Sequence, residues 1–117
     1  MVLDYRVPIH GDQIPLVYLK YRPIETRFAN TNRLVDLAQP QALFSPTELS
    51  NILLFARRMG IDFGEFDVLR DKDGRIYIVD ANHKPAGPPL NLPDHMGKTA
   101  FKLMTETFSQ MLEQWAL

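Results

Sequence analysis

Two acidic strand-like segments around a tight turn constrain this chain more than any other feature. Residues 61–70 and 75–82 flank Asp71-Lys72-Asp73-Gly74, a strong hairpin-turn signal. Residues two apart on a strand share a face, so Glu65 groups with Asp67 and Asp80 groups with Asn82. If Asp73-Gly74 is a two-residue turn, Asp67 falls opposite Asp80 and Glu65 opposite Asn82. A three-residue turn with a bulge at Gly74 would instead shift the pairing by one and separate the two sets. Facing carboxylates repel across a sheet, and a cation between them removes that penalty. Carboxylate and amide oxygens without His or Cys suit a hard ion, Mg²⁺ or Mn²⁺ before Zn²⁺. Acids also decorate ordinary wet hairpins. Here they interrupt Phe63, Phe66, Val68 and Ile76, Ile78, Val79, which are expected to be buried, and acids embedded in apolar strands favour a site.

The chain has 117 residues, of which 45% are hydrophobic, enough for one domain with a modest core. A net charge of −1 gives no basic excess for nucleic acid or an anionic membrane. With no cysteine, disulfides, thiolate metal sites and Cys nucleophiles are excluded. No apolar run approaches a bilayer span, and the N-terminus lacks the regions of a signal peptide. A soluble cytoplasmic protein is the expectation.

Residues 2–9 and 14–21 read as a first hairpin around His10-Gly11-Asp12-Gln13. Residues 23–40 form a connection in which residues 31–37 leave a helical turn and a short strand both open. Ser45-Pro46-Thr47-Glu48 opens a helix, with Ser45 as N-cap, Pro46 first in the helix and Glu48 completing a capping box. Phe44 and Leu49 are placed for a hydrophobic staple, Leu49, Ile52, Leu53 and Ala56 give the apolar face, and Gly60 ends the helix. After the acidic hairpin, Lys84-Pro85-Ala86-Gly87-Pro88-Pro89 excludes helix and central strand. A final helix from Gly97 or Lys98 to Leu117 carries an apolar stripe of Phe101, Met104, Phe108, Met111, Leu112 and Trp115. The order ββ-α-ββ-α predicts an α+β domain, two antiparallel hairpins in one sheet with two helices packed on one face of it.

Glu65-Phe66-Asp67, then Asp80-Ala81-Asn82, then Pro85-Ala86-Gly87-Pro88-Pro89, resembles the C-terminal, metal-binding lobe of the ATP-grasp domain. That superfamily contains carboxylate–amine and carboxylate–thiol ligases. Asp4-Tyr5-Arg6-Val7 is similar to its strand pair with a phosphate-contacting arginine, and Arg22 and Arg27 match its basic region. The resemblance covers essentially the whole chain. It implies Asp67, Asp80 and Asn82 as Mg²⁺ ligands between nucleotide phosphates, and Arg6 and Arg22 as catalytic groups. Arg6, Arg22, Arg27 and Glu65 would serve cofactor binding. The implied chemistry is phosphorylation of a substrate carboxylate by ATP, then displacement of phosphate by an amine or thiol. Two departures stand out: Asp80 where Glu is commoner, and Glu65 where some relatives carry a basic residue. The lobe that grips adenine, with its phosphate loop, has no counterpart here, so the chain reads as half of a catalytic unit completed by another polypeptide. The alternative is a non-catalytic, truncated lobe that binds a partner.

His83, next to Asn82, could touch phosphate or substrate, but a satisfied loop histidine is the preferred reading. His10 is placed in a turn and His95 in a loop, neither with metal-ligand spacing. Glu65 and Asp67, ~7 Å apart along a strand, approach a glycosidase pair with no other support. Lys20, Arg22 and Arg27 fit an exposed edge fringe and a phosphate contact equally.

Overall fold

The structure, a computed structural model, describes residues 2–22, 34–84 and 93–115, except for the side chains of residues 2, 22, 34 and 115. The turn at 71–75 sets the geometry of the acidic hairpin. Asp71 N–H donates to Arg75 O at 2.8 Å and Gly74 N–H to Asp71 O at 3.1 Å. Gly74 has φ +86°, the left-handed region that glycine enters without a Cβ penalty. Of the two turns the sequence left open, this is the three-residue one. It pairs Val68 with Ile78 in β4 (Phe63–Arg70) and β5 (Ile76–Asn82).

A β-bulge between Asp67 and Val68 then corrects the register. Val79 is the extra residue, and beyond it Asp67 faces Asp80 and Glu65 faces Asn82. The expected pairs therefore form by a different route. The bulge also reverses side-chain parity along β5. Ile76 and Ile78 pack against the core, as does Ala81, which leaves Asp80 and Asn82 on the opposite face. Val79, expected inside, is 56% exposed, and Phe63 is 37% exposed.

Five antiparallel strands lie in the order β3-β2-β1-β4-β5. β1 is Val2–His10 and β2 is Val17–Arg22, starting three residues later than expected. The undecided stretch supplies edge strand β3, Leu34–Ala38. Pro8 lies past the last β1–β2 pair, where β1 has become an edge on that side.

α1 (Pro40–Leu43) is a single turn that the sequence did not announce. α2 (Pro46–Arg58) begins with the expected capping box: Glu48 N–H donates to Ser45 Oγ and Ser45 N–H to Glu48 Oε1. Its end is closed by Gly60 at φ +71°, with Ile61 N–H donating back to Ala56 O. Ile52 and Ala56 of α2 join Tyr5, Val7, Ile9, Val17, Leu19, Phe66 and Val68 in the main core. Arg70 ties the hairpin turn to this layer. Its guanidinium donates to both Glu48 carboxylate oxygens (2.8 and 2.9 Å), to Leu43 O and to Gly74 O.

α3 (Asp94–Trp115) starts a turn earlier than expected. It packs on the other face, over Leu16, Tyr18 and Val35, so the helices do not share one face. Its contact stripe is Met96, Ala100, Leu103, Met104 and Met111. Phe101 and Leu112 of the expected stripe are 67% and 48% exposed. Among the described residues, α3 leaves the charged part of that face uncovered. No described helix is long and apolar enough to cross a membrane.

Candidate metal and phosphate site

The open part of the α3 face is a cleft of about 130 Å³ lined by Arg6, Glu65, Asp67, Asp80 and Asn82. Strand register assembles it. Arg6 of β1 pairs with Asp67 of β4, and Asp67 pairs with Asp80 of β5, which puts the three in one row. Glu65 and Asn82 form the next row. Gly64 allows β5 this close: a Cβ there would sit 2.7 Å from Asn82 O and 2.9 Å from an Ile61 methyl.

The charges are interleaved. Arg6 Nε lies 3.3 Å from Glu65 Oε1 and 3.9 Å from Asp67 Oδ1. Lys20 Nζ, reaching across from β2, lies 3.8 Å from the same Asp67 oxygen. Burial pushes the Glu65 carboxyl above the usual carboxylate range; Asp67 adds to the rise, while Arg6 and Lys20 oppose it. Asp80 Oδ1 accepts from Ala81 N–H and Asn82 Oδ1 from Lys84 N–H, both at 2.9 Å. These bonds orient the two side chains, and each oxygen keeps a lone pair for a ligand.

The donors match a hard cation in type: two carboxylates that face each other and an amide oxygen two residues along. Among the described residues, no three His, Asp or Glu side chains converge closely enough to form a metal site by themselves. Asp67 is neutralised by the neighbouring cations instead.

The sequence-predicted residues divide clearly. Arg6, Glu65, Asp67, Asp80 and Asn82 come together in the cleft. Arg22 ends β2, and its side chain, like all of Arg27 and the 85–89 loop, lies outside the described residues. His83 and His95 are exposed, the latter in α3. His10 ends β1 rather than sitting in a turn, and it is buried against Phe63, Phe108 and Thr107. Two buried neighbours of the cleft complete the picture: Lys20, which the sequence left open between an edge fringe and a phosphate contact, and Tyr18, which it did not single out. The edge-fringe alternative for Lys20 falls, because β2 is an interior strand and Lys20 is 3% exposed. Tyr18, fully buried beside Arg6 in the register, has a hydroxyl that makes no hydrogen bond among the described residues. Its pKa is pushed up to about 12 by burial and by Glu65, with Arg6 opposing. The Tyr18-x-Lys20 spacing, which puts both on Arg6's face of the sheet, was the available signal.

Neither protein-family models nor curated protein sequences give a match to this chain. Solved structures do. The ATP-grasp ligase PsnB, complexed with minimal precursor, Mg and ADP, superposes with a TM-score of 0.60 at 16% identity. The alignment covers 92% of this chain and 34% of PsnB. The macrocyclase MdnC from Microcystis aeruginosa MRC, bound with precursor peptide MdnA, gives a TM-score of 0.53 at 16% identity, covering 89% of this chain and 33% of MdnC. The chain thus has the fold of part of an ATP-grasp ligase and spans about a third of the length of these structures.

Proposed function

We propose that this chain is the metal- and phosphate-binding half of an ATP- and Mg²⁺-dependent, carboxylate-activating ligase. The observation that carries the reading is the division of one cleft into two walls. Asp67, Asp80 and Asn82 on β4 and β5 offer oxygens, and Arg6 on β1 offers a cation on the same face. A metal-bound polyphosphate has this polarity, with its cation toward the carboxylates and its free oxygens toward the guanidinium. The ATP-grasp-like fold supports the same assignment.

Asp67, Asp80 and Asn82 would hold Mg²⁺, which supplies charge neutralisation at the phosphoryl group. Arg6 orients a phosphate oxygen, and Glu65 holds Arg6 in the cleft. Arg22 and Arg27 are assigned to the same phosphate surface on sequence grounds. Adenine contacts belong to a further segment or polypeptide.

Titration of the 117-residue chain with Mn²⁺, read by paramagnetic line broadening, tests the site. Broadening should centre on Asp67, Asp80 and Asn82; broadening elsewhere alone would remove the assignment. Calorimetry of ATP, GTP and tripolyphosphate with Mg²⁺ tests the half-site. All three should bind weakly and nearly equally, because adenine finds no enclosing wall. Tight, adenine-selective binding would overturn the half-site reading.

A further inference from the structure

Three buried polar groups lie where the cleft meets the core under α3, and they are only loosely bonded. Arg6 Nε is buried and makes no hydrogen bond among the described residues. Glu65 Oε1 stands 3.3 Å from it, farther than the roughly 2.7–2.9 Å of a charge-assisted hydrogen bond. The Glu65 side chain is 10% exposed and the Arg6 side chain 25%. A carboxylate buried to that degree needs a cation or a donor, and Arg6 supplies the cation. Tyr18 faces Arg6 in the β1–β2 register and is fully buried against Leu16, Val35 and Ala100. Its hydroxyl also makes no hydrogen bond among the described residues. Burial and the Glu65 charge push its pKa up to about 12, which keeps it a donor within reach of that carboxylate's field. Two orphaned donors beside one buried carboxylate are costly unless a second arrangement of the same groups uses them.

An oxyanion entering the cleft supplies that arrangement. It competes with Glu65 for Arg6, and Arg6, the more exposed of the pair, can turn outward to it. Glu65 cannot follow into water. Its carboxylate is then left buried, two residues from Asp67 on the same face, and the Tyr18 hydroxyl is the unused donor beside it.

We propose that Glu65 is an internal competitor for Arg6, an autoinhibitory carboxylate that a bound oxyanion displaces, and that the Tyr18 hydroxyl is the positioning group that receives it. This rests on the phosphate-site reading of the cleft and adds a device that sets the affinity of that site. While Glu65 occupies Arg6, the apparent affinity for an oxyanion falls with the fraction of time that Arg6 is free. The hydrogen bond from Tyr18 to the displaced carboxylate offsets part of that loss.

The test is the affinity of the full chain for tripolyphosphate with Mg²⁺, measured by calorimetry at one pH and at matched ionic strength. The proteins are wild type, Glu65→Gln, Tyr18→Phe and the double variant. Glu65→Gln should bind about fivefold more tightly, because the competing charge is gone. Tyr18→Phe should bind about fivefold more weakly, because the displaced carboxylate finds no donor. Without ligand, Tyr18→Phe should be at least as stable as wild type, since the hydroxyl it removes is unpaired. In the Glu65→Gln background, Tyr18→Phe should cost much less affinity, a coupling that a merely structural tyrosine would not show. In wild type, tripolyphosphate should move the Tyr18 hydroxyl proton downfield, a measurement that stands even if a variant fails to fold. Weaker binding by Glu65→Gln, an equal loss from Tyr18→Phe in both backgrounds, or an unmoved Tyr18 hydroxyl proton would overturn the inference and leave the phosphate site standing. No tripolyphosphate binding by wild type or by Glu65→Gln would remove both.

Discussion

The two faces of the sheet are built from alternate residues of the same strands, yet they solve opposite problems. The α2 face is apolar from Leu3 to Ala81, and its polar side chains lie at the periphery, where Arg70 closes on Glu48 at 2.8 Å. The α3 face is apolar only under the helix. Beyond it lie four ionisable side chains, Arg6, Glu65, Asp67 and Asp80, with Lys20 behind them. Stability is concentrated on the first face. The second keeps like charges together and holds them with loose ion contacts of 3.3 to 3.9 Å. That arrangement supports the proposal that the groups of this face serve a ligand.

The sharpest way to break the comparison is to damage the closed face. Phe66→Ala empties a site with no exposed surface, between Val7 of β1 and Ala81 of β5 in the register, and edge-on to Phe55 of α2. It should cost about 3–5 kcal/mol, a large part of what holds a small domain together. Denaturant unfolding would show it. A loss under about 1 kcal/mol would mean that the α2 face is not the principal core.

Gly64→Ala attacks the boundary between the faces. Its Cβ would meet main-chain Asn82 O at 2.7 Å, a backbone atom that cannot swing aside as a side-chain tip can. A cost of about 1–3 kcal/mol is expected. The amide signals of Asn82 and Lys84 should shift, because the displaced backbone carries the Asn82 side chain. An unperturbed Asn82 would show that Gly64 does not position the site.

Acid should separate the two sides in order. His10 Nδ1 is hydrogen-bonded to the Thr107 hydroxyl, and Nε2 is buried with no hydrogen bond among the described residues. Burial lowers the His10 pKa below its ordinary 6.5. The folded state therefore favours neutral His10, and that stability is present above pH 6.5 and lost as pH falls through the lower folded value. The hydrogen bonds from Arg70 hold the Glu48 carboxyl below its ordinary 4.5, so its contribution is present above 4.5 and lost only at lower pH. A pH series of NMR spectra should show Thr107 and Phe108 responding first and the Glu48–Arg70 contact later. Glu48→Gln should remove the second step alone. Simultaneous change at both places would mean that the faces do not come apart separately.

The parts of this fold that could be read from sequence were those governed by local chemistry. Ser45, Pro46 and Glu48 cap a helix because their side chains and ring act within one turn, and Gly60 ends it for the same reason. The α+β class and the gathering of Glu65, Asp67, Asp80 and Asn82 followed from period-two alternation. What could not be read depends on distant partners. Whether the described part of the undecided stretch, Leu34–Ala38, was helix or strand was decided by β2, which offered an open edge. Met104, Phe108 and Met111 of the expected α3 stripe do pack inward, but Phe101 and Leu112 do not, because hydrophobicity does not say which residues meet Leu16 and Val35, and small Ala100 fits there better than Phe101. Lys20 looked peripheral because the existence of β3, which makes β2 interior, was undecided. The hairpin register, left open by the sequence, was settled by two features together: the turn is the longer of the two alternatives, and the bulge at Val79 takes the extra residue back.

That bulge makes Asp80 the smallest and most discriminating perturbation. It turns Asp80 onto the open face, opposite Asp67, with no described cation of its own; Arg6 and Lys20 both lean toward Asp67. Asp80→Asn keeps the side-chain oxygen that accepts from Ala81 N–H and removes one charge from a facing pair. In metal-free buffer the variant should be as stable as wild type or more stable, by about 0.2–1 kcal/mol. Added Mn²⁺ should then raise its melting temperature less than that of wild type, since metal stabilisation scales with affinity. The two measurements pull against each other only if the carboxylate is there for a cation. A clear loss of stability without metal would instead make Asp80 a structural residue. The open face would then be held together by its charges, and its contrast with the closed face would be one of composition alone.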